Sequence, residues 1–92
     1  MFLKIENKLI TLDIVTLNTY EDIESIGKYL EKYFDAKVIE KLDGPDARVW
    51  IYEIQNIKFK LQHNSYGNIL FTAIYGKPVM DMIYSDLKNR LA

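Results

Sequence analysis

Residues 41–75 read KLDGPDARVWIYEIQNIKFKLQHNSYGNILFTAIY, and the punctuation of this stretch decides the fold. Asp43-Gly44-Pro45-Asp46 is a turn, because Pro45 presets φ while Gly44 and the aspartates tolerate turn geometry. Gln55-Asn56 is a two-residue turn, and Asn64-Ser65-Tyr66-Gly67 is another in which Gly67 suits a positive φ. The segments between them have strand lengths and strand residues. In 57–63, Ile57, Phe59, Leu61 and His63 alternate with Lys58, Lys60 and Gln62, one face for a core and one for water. In 68–75, Ile69, Phe71, Ala73 and Tyr75 share a face. In 48–54, Val49 and Ile51 lie on one face and Arg48, Trp50 and Tyr52 on the other. With bulk on both faces, this strand is either covered on both sides or exposes an aromatic strip for binding.

Upstream, 37–42 is a mixed strand, and 20–34 places Ile23, Ile26, Gly27, Leu30, Tyr33 and Phe34 on one side at helical spacing. Thr19 followed by Asp22 makes an N-cap with an acid in the first turn. Gly27 inside this helix costs about 1 kcal/mol relative to alanine, which predicts a close approach between helix and strand. Residues 2–6 and 9–15 alternate around Asn7-Lys8, a hairpin in which Ile10, Leu12 and Ile14 share a face. Downstream, Gly76-Lys77-Pro78 opens a helix over 79–91, with Met80, Ile83, Tyr84, Leu87 and Leu91 as its stripe and Asp86 one turn from Arg90. The order β-β-α-β-β-β-β-α with short β-β links predicts an α+β fold, a single antiparallel sheet of about six strands with two covering helices. Residues 1–92 are expected to form a single domain.

Apolar residues make up 49% of the chain and charged residues 27%, the profile of a globular protein rather than a disordered one. No apolar run reaches the ~20 residues of a membrane span, and the cytoplasm is the expected compartment. The lack of cysteine excludes disulfides, thiolate nucleophiles and cysteine zinc sites. Residues 13–46 carry nine acids against four lysines, and residues 47–92 carry three acids against six bases. Such asymmetry can steer a basic partner.

Few residues suggest catalysis. His63, the one histidine, stands at a strand end and is expected to be structural. Glu21, Asp22 and Glu24 suit a helix's first turn, and Asp43 and Asp46 suit a turn, without any acid–base role. No metal, cofactor or catalytic set is expected. A nucleic-acid site would use Arg48, Lys58 and Lys60 beside Trp50, Tyr52 and Tyr66, but the acidic balance opposes it as the main function. Seven tyrosines do not all fit on inward faces, and exposed Tyr, Trp and Arg anchor protein interfaces.

Residues 40–70, EKLDGPDARVWIYEIQNIKFKLQHNSYGNIL, combine an acidic G-P-D-x-R turn, a Trp-bearing strand, an alternating strand ending L-x-H-N and a Y-G-N turn. This pattern resembles small bacterial immunity proteins of the contact-dependent inhibition class and related uncharacterised domains. The resemblance implies a non-enzymatic cytoplasmic inhibitor of a cognate toxin, a nuclease in the first instance. Glu21, Asp22, Glu24, Asp43, Asp46, Arg48, Trp50, Tyr52 and Tyr66 are the expected contact residues. A small nucleic-acid-binding domain and a homodimerising module are the alternatives, and monomer and homodimer both remain open.

Overall fold

In a computed structural model, which describes residues 1–91, the predicted order holds. The strands are β1 (Phe2–Glu6), β2 (Leu9–Ile14), β3 (Lys37–Asp43), β4 (Arg48–Ile54), β5 (Ile57–Asn64) and β6 (Gly67–Ala73). Helix α1 (Asp22–Phe34) follows β2, and α2 (Lys77–Arg90) ends the fold after a 3-10 turn at Ile74–Gly76. Asn7 and Lys8 (φ 51° and 63°) and Gln55 and Asn56 (φ 52° and 64°) hold left-handed backbone at both central turn positions. Right-twisted strands require that geometry in a two-residue hairpin. Gly67 adopts the expected positive φ, 119°.

All strand pairs are antiparallel, and the sheet order is β1-β2-β6-β5-β4-β3. The meander β3 to β6 thus folds as a block, and the N-terminal hairpin extends it through β2 against β6. Both helices lie on one face, α1 over β4 and β5 and α2 over β2 and β6. The core between layers is built on Ile10, Leu12, Phe59, Leu61, Leu70 and Met80, all without exposed surface. Each such side chain contributes ~1.5–3 kcal/mol by leaving water. Thr19 and Asp22 bond reciprocally in the turn before α1, each backbone N–H donating to the other's side-chain oxygen at 3.2 Å, but the N-cap is Glu21, without a side-chain bond, so the helix begins later than the expected Thr19 cap.

Two expectations about strand faces need correction. Trp50 and Tyr52 form no exposed strip: they are 4% and 0% exposed beneath α1, while Val49 and Ile51 are half-buried on the face no helix covers. The cause is Gly27, whose missing Cβ lets α1 sit directly on the Trp50 ring and the Tyr52 hydroxyl. In β6, Ile69, Phe71 and Ala73 turn to the uncovered face, and Asn68, Leu70 and Thr72 turn inward. Polar residues are tolerated inside because they are satisfied. Thr72 Oγ1 donates to the Lys58 carbonyl at 2.7 Å, and Asn68 Nδ2 donates to the Leu17 and Thr19 carbonyls at 2.6 and 3.0 Å.

Candidate protein-binding surface

Arg48 enters the covered face at the start of β4, opposite Asp43 at the end of β3. Its side chain is only 7% exposed. Nε donates to Asp43 Oδ1 at 2.8 Å, while Nη1 reaches the Tyr20 carbonyl at 3.0 Å and Glu24 Oε2 at 3.3 Å. The guanidinium also sits 4.5 Å from the Tyr20 ring centre and 4.7 Å from that of Trp50. Trp50 Nε1 donates to the same Asp43 oxygen at 2.7 Å, and Tyr20 Oη donates to the Gly44 carbonyl at 2.9 Å. This cluster ties the β3–β4 turn, the approach to α1 and the core into one latch. Next to it, His63 Nδ1 lies 2.7 Å from Asn68 Oδ1. Since Asn68 Nδ2 serves two carbonyls, its oxygen accepts, so His63 carries its proton on Nδ1.

Six of the nine expected contact residues therefore serve the fold itself. Arg48, Trp50 and Tyr52 are buried, and Asp43 and Glu24 keep exposed surface but hold Arg48. Asp22 is tied to Thr19 in the turn before α1. Glu21, Asp46 and Tyr66 are exposed, Tyr66 at 88%, but Tyr66 stands on the β5–β6 turn, apart from the acidic pair. The nucleic-acid alternative likewise loses Arg48, Trp50 and Tyr52 to the interior, while Lys58 and Lys60 stay on the uncovered face. For Arg48, Trp50 and Tyr52 the reason is one: sequence alternation separates two faces of β4 but does not say which one receives α1.

The exposed surface instead gathers at β3. This strand pairs only with β4, and all seven of its residues are exposed. Val38, Ile39 and Leu42 keep 44%, 51% and 54% of their surface in water. A β-bulge between Val38 and Glu40 breaks the alternation at Ile39, the signal that the adjacent apolar pair Val38-Ile39 carried in the sequence. α1 runs into β3 through Asp35, which caps the helix at φ 52°, while the helix itself packs over β4 and β5. Residues 21–46 carry eight acids against four lysines, but β3 alone is balanced, with Glu40 and Asp43 against Lys37 and Lys41.

At the junction of the helices, Tyr29 Oη and Arg90 Nε both donate to Asp86 Oδ2 at 2.6 Å. These bonds hold the Asp86 carboxyl below its usual range, and Arg48 with Trp50 does the same for Asp43. Burial first, then Asp86, pushes the Tyr29 hydroxyl well above its usual range. A carboxyl depressed on folding stabilises above its unfolded pKa of about 3.9, and that contribution disappears as pH falls through the lower folded value. Thermal melts from neutral to acid pH are expected to hold level down to about pH 4 and fall below it. Asp86→Asn should flatten the acid limb; an unchanged limb would show that Asp86 is not coupled to folding.

A family model described as Protein of unknown function (DUF3630) matches residues 2–76, which run from β1 to the end of the 3-10 turn. No curated protein and no solved structure matches the chain. Among the described residues no helix is long and apolar enough to cross a membrane.

Proposed function

The chain belongs to this family of unknown function, and we propose that it is a non-enzymatic binding protein of the immunity type, docking a basic cognate toxin in the cytoplasm. The observation that carries the reading is the β3 edge: seven exposed residues with free backbone groups on one side, three of them large and apolar. An exposed edge is a template for a strand from another chain, which supplies the missing ladder partner. The acidic balance of residues 13–46 favours a basic partner, and a nuclease that holds phosphates has that character. The resemblance over residues 40–70 supports the same reading, because it spans β3 from Glu40 onward and the turn that the Arg48 latch keeps in place.

Co-expression with the product of the adjacent gene tests the proposal. A toxic product that co-purifies in a one-to-one complex is expected, and Val38→Lys should weaken that complex about ten-fold by placing a cation against a basic partner. A neighbour that is neither toxic nor bound would overturn the reading.

A further inference from the structure

Asp43, whose carboxylate the latch holds, is the one aspartate followed by a glycine, and no asparagine is. That pair has covalent chemistry of its own. A glycine nitrogen has no Cβ beside it to hinder an approach, so it can attack the side-chain carboxyl of the residue before it. We propose that Asp43-Gly44 is a site of spontaneous isoaspartate formation, held dormant by the Arg48 latch and released when the latch opens.

The reaction needs only the chain and water. The Gly44 nitrogen bonds to Cγ of a protonated Asp43 carboxyl and loses its proton, while the carboxyl hydroxyl leaves and takes up a proton to depart as water. The product is a five-membered succinimide ring. Water then opens the ring at one of its two carbonyls, either restoring Asp43 or routing the main chain through Cβ and Cγ as isoaspartate. No oxidant, cofactor or group donor enters.

The fold opposes ring closure in four ways. Arg48 foremost, then Trp50, holds the carboxyl below its usual range, so the protonated form that can lose hydroxide is scarce at neutral pH. Arg48 Nε and Trp50 Nε1 donate to Oδ1 at 2.8 and 2.7 Å and Arg48 Nη2 to Oδ2 at 3.4 Å, so Cγ cannot swing toward Gly44 without breaking these bonds. The attacking nitrogen is itself engaged, its N–H donating to the Ala47 carbonyl at 2.8 Å. Asp43 also ends β3, and extended backbone keeps Cβ far from eclipsing the Gly44 nitrogen, as the ring demands. Breaking even one charge-assisted hydrogen bond reduces the open population about ten-fold. Water is not what limits the reaction, since 42% of the Asp43 side chain is exposed.

Isoaspartate lengthens the main chain by one atom and leaves its carboxylate directly on Cα, away from the place where Arg48 and Trp50 meet it. The latch then cannot re-form. This chemistry is independent of what β3 binds.

Incubation of the full chain at neutral pH in heavy-oxygen water, followed by digestion in ordinary water and mass spectrometry, tests the inference. Each ring opening leaves one heavy oxygen on residue 43, and fragmentation distinguishes isoaspartate from aspartate. The parent held unfolded in urea should label at residue 43, and the folded parent should label at least about ten-fold more slowly. Arg48→Ala, shown to be folded by circular dichroism, should label about ten-fold faster than the folded parent; if it does not fold, Arg48→Lys takes its place. Leu87→Ala removes a buried side chain from α2, away from the latch, and should stay within about three-fold of the parent despite a comparable loss of stability. Equal labelling of the folded and unfolded parent overturns the proposal, as does an absence of label in urea. A Leu87→Ala protein that labels as fast as the Arg48 variant also overturns it, because global unfolding rather than the latch would then control the reaction.

Discussion

Gly27→Ala lowers stability by about 1–3 kcal/mol, although the same substitution in an unconstrained helix interior raises it by about 1 kcal/mol. The sign reverses because a Cβ at Gly27 would run into the Tyr52 hydroxyl oxygen and stand 3.0 Å from the Trp50 ring. Neither can step aside freely. Tyr52 has no exposed surface and its hydroxyl donates toward Glu31 at 3.4 Å, while Trp50 is held by Asp43. The nearest clash is with a single oxygen, so Tyr52→Phe in the Gly27→Ala background should recover part of the loss. Urea denaturation of the two single variants and the double variant measures this. A Gly27→Ala protein more stable than the parent would show that α1 can lift off the sheet at no cost.

Arg48→Ala costs about 3 kcal/mol, the range expected when a buried charged donor with several partners is removed. The loss combines three parts: the hydrogen bonds to Asp43, Glu24 and the Tyr20 carbonyl, the contacts with two aromatic rings, and the void left among them. Arg48→Lys should recover less than half of it. An ammonium cannot serve a carboxylate, a carbonyl and a second carboxylate from one planar fork, nor stack between the rings. Urea midpoints for both variants check this, and an Arg48→Lys protein as stable as the parent would reduce the latch to a simple charge pair. Because the latch anchors the approach to α1, Arg48→Ala should also loosen residues 15–21, visible as faster amide hydrogen exchange there.

Much of the architecture was legible in the chain. Asn7-Lys8 and Gln55-Asn56 announce hairpins because short turns between twisted strands demand left-handed backbone, which Asn7 and Asn56 tolerate while the strand pairing holds Lys8 and Gln55 in it. The stripe of Ile23, Ile26 and Leu30 announces a helix because burial follows the 3.6-residue period. Gly27 announced a close approach because a glycine is a cost in a helix unless space requires it. The Asp86–Arg90 pair was readable as an i,i+4 contact, but the Tyr29 hydroxyl that joins it comes from 57 residues away. The candidate contact surface was the least legible part. Arg48, Trp50 and Tyr52 are the residue types that anchor interfaces, and they are the same types that make a buried polar latch.

By itself the sequence determined the elements, their order, the antiparallel pairing and the place of the turns, since these depend on local backbone preferences and on periodicities of two and 3.6. Only the tertiary structure decided which face of β4 and β6 lies under the helices, that β2 joins β6, and that β3 and β1 are left as edges. Strand alternation defines two faces without ranking them. The ranking comes from where α1 can pack most closely, and that is set by a contact between Gly27 and side chains more than twenty residues away.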